Sequence, residues 1–161
     1  MAFGSSILDK LITDFSALEF EGGELLFNNV KSSYRESIRG ARDAVLLPDD
    51  DSEFIRGNQE TDRNYGFFLS AIEETNSVAS DTVTQNMYYR LMNIRDGLLD
   101  YLQKEPSNLR QWALAQSPQI NIFKNRLNQV LFNEGESPNG GYAVEMQFRF
   151  TVFVNINPKL L

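Results

Sequence analysis

At 161 residues, with 42% hydrophobic and 23% charged positions, the chain has the make-up of one ordinary globular domain, which buries roughly 70% of its unfolded surface. It has no cysteine, which removes disulfides, thiolate zinc sites and cysteine nucleophiles. It has no histidine either, which removes the commonest general base and imidazole metal ligands, so an enzyme here would depend on carboxylates, Lys, Tyr or an external cofactor. A net charge of −7 disfavours general binding to nucleic acid, because such a protein gains nothing from releasing phosphate counterions.

The start, Met-Ala-Phe-Gly-Ser-Ser, has no basic region and no continuous apolar run, and no segment approaches the roughly 18 apolar residues of a membrane span. The product is therefore expected to be cytosolic when made. Gly4, Ser5 and Ser6 offer caps just before Ile7, Leu8, Leu11, Ile12, Phe15 and Leu18, whose spacing predicts an amphipathic helix of about three turns. Glu21 to Glu24 break it, and Leu25, Leu26, Phe27 and Val30 begin an extended segment that runs into Lys31 to Arg42. Ala44 to Leu47 form a second short strand stopped by Pro48, which cannot donate to a ladder. These two strands would form a hairpin or a neighbouring pair.

From Pro48 to Asp62 the chain makes a polar excursion of fifteen residues without periodicity, the kind of loop that is usually functional or disordered. Arg63 to Glu73 returns to a strand with apolar residues on both faces, Tyr65, Phe67, Leu69 and Ala71 against Phe68 and Ile72, which predicts a central position covered on both sides. After a breaker at Glu74 to Ser80, Val83, Met87, Leu91, Ile94, Leu98 and Leu102 step by 4, 4, 3, 4 and 4, the stripe of a helix of about six turns. Thr82 and Gln85 are placed for a capping box, and Pro106 closes the helix. Asn108 to Ser117, with the single Trp112, reads as a short helix or a packed loop; Ile120 to Phe132 fits a helix or a strand, with strand preferred.

Asn133 to Gly141 is a turn by composition, and its Asn139-Gly140 suits a hairpin reversal. Beyond it, every even position from Tyr142 to Ile156 is apolar, eight matches out of eight to a period of two. Such a strand would be on the order of 50 Å long and should be the spine of a sheet. The fold class that follows is α+β: a mostly antiparallel twisted sheet with a long C-terminal strand, packed on one face by an N-terminal helix and a long central helix, in a single domain.

Chemistry is sparse. Asp49, Asp50 and Asp51, with Glu53 behind them, could form an oxygen site for a divalent cation, but they lack the alternating acidic positions and fixed glycine of a calcium loop, which favours a solvated loop tip. Adjacent strand residues such as Glu73 and Glu74 point to opposite faces and cannot converge on one substrate atom. Lys31, Arg35, Arg39 and Arg42 make the basic cluster of an otherwise acidic chain, either a solvated hairpin or a contact for an acidic partner surface or passing nucleic acid. No catalytic, cofactor-binding or metal residue is assigned. Long polar loops, and a last strand able to outrun its neighbours, would leave unpaired sheet edge, which lone soluble proteins blunt and assembly proteins use.

With its elements in this order, the chain resembles the tail terminator (tail completion) proteins of tailed bacteriophages. The resemblance rests on the helix Ile7 to Leu18, the run Ala44-Val45-Leu46-Leu47-Pro48-Asp49-Asp50-Asp51-Ser52-Glu53, and Thr61-Asp62-Arg63-Asn64-Tyr65-Gly66-Phe67-Phe68-Leu69. The helix Val83 to Leu102 and the alternating last strand complete it. It covers nearly the whole chain as a pattern, without an invariant catalytic motif. Where the family usually has Pro before the Ala44 strand this chain has Asp43, and the Trp112 region has no clear counterpart. The resemblance implies a non-enzymatic virion protein, a ring of typically six identical subunits. Such a ring caps the head-proximal end of the tail tube, stops tube polymerisation and presents the docking surface for the head connector or neck. DNA would pass through its lumen without specific binding.

Partners would be further copies of the chain, the tail tube protein and the connector, with assembly in the host cytoplasm. The basic cluster, the acidic run Asp49, Asp50, Asp51 and Glu53, and the loop residues Phe54 and Asn139 are the expected contacts with neighbouring subunits or partners. Two other readings stand beside this one. The first is another ring protein of the particle, a tube subunit or a head-completion adaptor. The second is a small ligand-binding or enzymatic α+β domain with a pocket between the long helix and the sheet, which would need convergent polar groups where the last strand is apolar.

Overall fold

The computed structural model describes residues 3–32, 42–49, 62–75, 80–104, 107–136 and 141–156. In chain order the elements are α1 (Phe3–Ser16), β1 (Asn29–Lys31), β2 (Asp43–Asp49), β3 (Asp62–Thr75), α2 (Asp81–Gln103), α3 (Asn108–Leu114), β4 (Ile120–Glu136) and β5 (Tyr142–Ile156). The strands form a five-stranded sheet in the order β1-β2-β3-β5-β4, antiparallel except for the parallel pair β1 and β2. The fold is therefore α+β, a mostly antiparallel sheet packed with an N-terminal helix and a long central helix.

The even residues of β5 explain the architecture. Val144, Met146, Phe148, Phe150, Val152 and Val154 are fully buried, and they share one core with Ile7, Leu11 and Phe15 of α1 and with Leu91, Ile94 and Leu98 of α2. Both helices thus cover the same sheet face. They are also tied to each other, because Phe15 meets the Tyr101 ring edge-on at 5.2 Å and the Tyr101 hydroxyl donates to Asp14 at 2.5 Å. Burial first, and the Asp14 bond second, push that phenol well above its ordinary pKa.

Several local expectations are corrected. The first helix starts at Phe3, so Ser5 and Ser6 lie inside its first turns rather than capping it; Phe3 is buried and extends the stripe of Ile7, Leu11 and Phe15 one turn backwards. The cap of α2 is Ser80, whose hydroxyl accepts from the Val83 amide at 3.3 Å, in place of a capping box on Thr82. Pro48 sits within β2, where it pairs with Phe67; β1 reaches only Val45, so among the described residues the proline has no second ladder beside it. β1 and β2 are neighbours, but parallel, which rules out a hairpin between them.

The last strand does not outrun its neighbours. β3 pairs with it from Tyr142 to Asn155 and β4 along its whole length. β4 is a strand throughout and continues to Glu136, so the turn expected from Asn133 begins later. The edge of the sheet beyond β5 is β4 itself.

The Glu21 to Glu24 break is a tight reversal. Gly23 takes a φ of 85°, open to glycine at little cost, while the Phe20 amide donates to the Glu24 carbonyl and an isolated bridge joins Glu19 to Leu25. The reversal sets buried Leu26 against α2, where a Cβ at Gly97 would lie 3.0 Å from the Leu26 side chain.

Candidate functional site

The structure disperses the residues marked by the sequence. Lys31 bonds Asp43 at 3.0 Å, and Asn29 donates to the same carboxylate at 3.3 Å, which fixes β1 on β2. Arg42, at a φ of 60°, reaches Glu24 at 2.9 Å and lies 3.8 Å from Glu73. Two members of the basic cluster are thus engaged within the chain. Arg35 and Arg39 lie outside the described residues, as do Asp50, Asp51, Glu53, Phe54 and Asn139.

Asp49 is not a loop-tip carboxylate. It is the last residue of β2, and both of its oxygens accept from Arg149 of β5 at 2.9 Å. Arg149 in turn lies over the Phe68 ring at 4.6 Å. A carboxylate held this way is committed to a cation and an aromatic face. The same sheet face, opposite the helices, carries Ser70 donating to Glu145 at 2.5 Å, Gln147 donating to Glu145 at 2.8 Å and Asn128 donating to Thr151 at 2.7 Å. Phe153 lies there under Lys124 and Arg126. These are satisfied polar pairs, and no sequence pattern marked them because, Gln147 with Glu145 apart, their members come from different strands.

A second ionic cluster sits on the helix side. Glu73, 6% exposed, forms an ion pair with Arg90 of α2, and Arg90 also approaches Glu24 at 3.4 Å and covers the Phe20 ring at 4.8 Å. Burial raises the Glu73 pKa, while Arg90 and then Arg42 oppose the rise. Glu74, next along the strand, sits on the other face. This cluster ties the 19–26 reversal, β3 and α2 together. Beside it runs a groove of about 840 Å³ between the reversal and α2, lined by Phe20, Glu21, Tyr89, Arg90, Asn93 and Asp100 among others. The groove lies on the outer side of α2; between α2 and the sheet the chain places apolar core.

The remaining feature is the outer edge of β4. Its first half is guarded. Arg110 of α3 donates to the Ile122 carbonyl at 2.8 Å and to the Phe123 carbonyl at 3.3 Å, the register with β5 shifts between Ile122 and Lys124 and again between Leu127 and Gln129, and Lys124 and Arg126 add charge. From Gln129 to Glu136 the pairing with β5 is regular, with neither bulge nor Lys nor Pro. Among the described residues no other element bonds its backbone to this stretch. Leu131 stands 41% exposed within it. At its far end Tyr88 and Tyr142 hold Glu134, whose carboxyl is pulled below its ordinary range by those bonds, Tyr88 first.

Among the described residues no group of three or more acidic side chains could hold a metal, and no helix is long and apolar enough to cross a membrane. No protein-family model matches the chain, and no curated protein does.

Proposed function

We propose that the chain is a structural ring subunit of the phage tail-terminator type, closing the head-proximal end of a tail tube and offering the connector its docking surface. The observation that carries this reading is the half-open edge of β4. Soluble monomers blunt long edges with bulges, charges or covering elements, and this chain uses all three on Ile120 to Asn128, whereas among the described residues Gln129 to Glu136 has neither bulge nor covering element and carries its charges, Glu134 and Glu136, only at the far end. An edge left open for about eight residues beside an exposed leucine is a place for another chain.

The other features agree with an assembly role. The carboxylates that might have served chemistry, Asp49 and Glu73, are each bound to an arginine. The chain's net charge of −7 suits a wall past which DNA slides without sticking. A ring of identical subunits needs a heterologous contact that closes at a fixed rotation, with one ring face for the tube and another for the connector. The test is assembly with purified tail tubes. A terminator stops at one ring and blocks further tube growth; a tube subunit polymerises without limit; a protein that neither assembles nor binds tubes ends the proposal. Removing residues 50–61, which lie between β2 and β3, should abolish joining of tails to heads while the far-UV spectrum stays unchanged.

A further inference from the structure

Among the described residues the sheet has two ends, the β4 edge described above and the outer side of β1, which is paired there to β2 alone. We propose that the open half of β4 in one subunit, Gln129–Glu136, adds to the β1 edge of a second copy, so that the sheets run on from subunit to subunit. This rests on the ring reading and specifies the contact that would build it.

Two observations select β1 as the mate. The first is symmetry. Pairing β4 with β4 would be isologous and would close at a dimer, whereas joining unlike edges is heterologous and can close a ring. The second is charge. The open half carries two charges, Glu134 and Glu136, so two copies of it in one ladder would gather carboxylates, whereas β1 brings no acidic residue to the ladder. Leu131, 41% exposed on the open half, would leave water on edge pairing. The blunting devices also end where this ladder would begin. Arg110, both register shifts, Lys124 and Arg126 all precede Gln129. In such a contact the main chain supplies the hydrogen bonds and Leu131 an apolar contact.

The absence of cysteine in this chain makes disulfide trapping clean. Asn29 and Asn133 are both exposed, so Asn29→Cys/Asn133→Cys in one chain should fold, and Ser32→Cys/Val130→Cys, an exposed and a half-buried position, lies in the same antiparallel register. Under mild oxidation at assembly concentration, either double variant should give a ladder of covalent multimers ending at the ring size. Asn133→Cys alone should stay monomeric on a denaturing gel. Leu131→Lys, which puts a charge on the open edge, should lower the assembled fraction about tenfold or more with an unchanged far-UV spectrum. A covalent dimer from Asn133→Cys alone would overturn the proposal in favour of β4 meeting β4. A discrete ring by light scattering with no cross-link in either double variant would overturn the edge assignment and leave the ring reading standing. No assembly under any condition, tail tubes included, would end both.

Discussion

Replacing Arg90 with methionine tests the ionic cluster that fastens the 19–26 reversal to the sheet. Methionine keeps much of the buried stem and removes the guanidinium, which in the native protein pairs with Glu73, approaches Glu24 and covers Phe20. Glu73 is then left buried, with Arg42 at 3.8 Å as its remaining cation, and Arg42 is 43% exposed and screened by water. Breaking a buried pair from one side costs about 3–5 kcal/mol, and the partial help from Arg42 places this case near about 3 kcal/mol at neutral pH.

The pH dependence has a definite sign. Glu73 is a carboxyl whose folded pKa is raised, chiefly by burial. The folded protein therefore holds that proton more tightly than the unfolded chain, and stability falls as pH rises from the unfolded pKa through the folded one. Loss of Arg90 removes the largest opposing influence, so the folded value climbs further and the penalty at neutral pH grows. Near pH 5 the variant's Glu73 is more fully protonated, and its deficit against the native protein should shrink. Urea unfolding followed by far-UV circular dichroism at both pH values measures this, with a midpoint drop of about 1–2 M at neutral pH. The double change Glu73→Leu/Arg90→Met should recover most of the loss, because a buried pair replaced by apolar groups is close to neutral. An equal deficit at both pH values, or a double variant as unstable as Arg90→Met, would refute the assignment.

Three smaller tests follow from the same structure. Ser80→Ala should cost about 1 kcal/mol through loss of the α2 cap, whereas Thr82→Ala should stay within about 0.5 kcal/mol, both read from urea curves. Gly97→Ala gains up to about 1 kcal/mol of helix propensity but pushes a Cβ to 3.0 Å from buried Leu26, where overpacking costs about 1–3 kcal/mol; net destabilisation is expected, and stabilisation would show that Leu26 yields freely. The Tyr88 phenol, pushed up to about 12 mainly by its bond to Glu134, should ionise at lower pH in Glu134→Gln, as followed by absorbance titration against the native protein.

The long-range order of this fold was legible wherever one face of an element meets the core without interruption. The alternation of β5 and the stripe of α2 are of this kind, and both elements lie where the pattern placed them. β4 resisted because its two register shifts, at Phe123 and Asn128, break the alternation; Ile122, Phe123, Leu127, Val130 and Leu131 then imitate a helical spacing. β1 has only three residues, too few for a period to show.

The ionic clusters were hidden for another reason. Asp49 meets Arg149 across 100 residues, and Glu24, Arg42, Glu73 and Arg90 come from four separate segments, so no local spacing announces them. The acidic run drew attention to Asp49 as a loop residue because Pro48 reads as a stop, yet a proline on an edge stretch leaves the strand running for one more residue. The open edge was legible only in kind. An unpaired edge was expected from an overlong last strand; the structure matches β5 to both of its neighbours and leaves the edge on β4.

On the proposed reading, copies of this chain close into a ring. The solution mass of the purified protein by light scattering, alone and with isolated tail tubes, followed by negative-stain imaging, tests it most directly. A discrete ring, formed alone or only on tube ends and halting their growth, is the expected result; open-ended tubes, or a monomer indifferent to tubes, would contradict it.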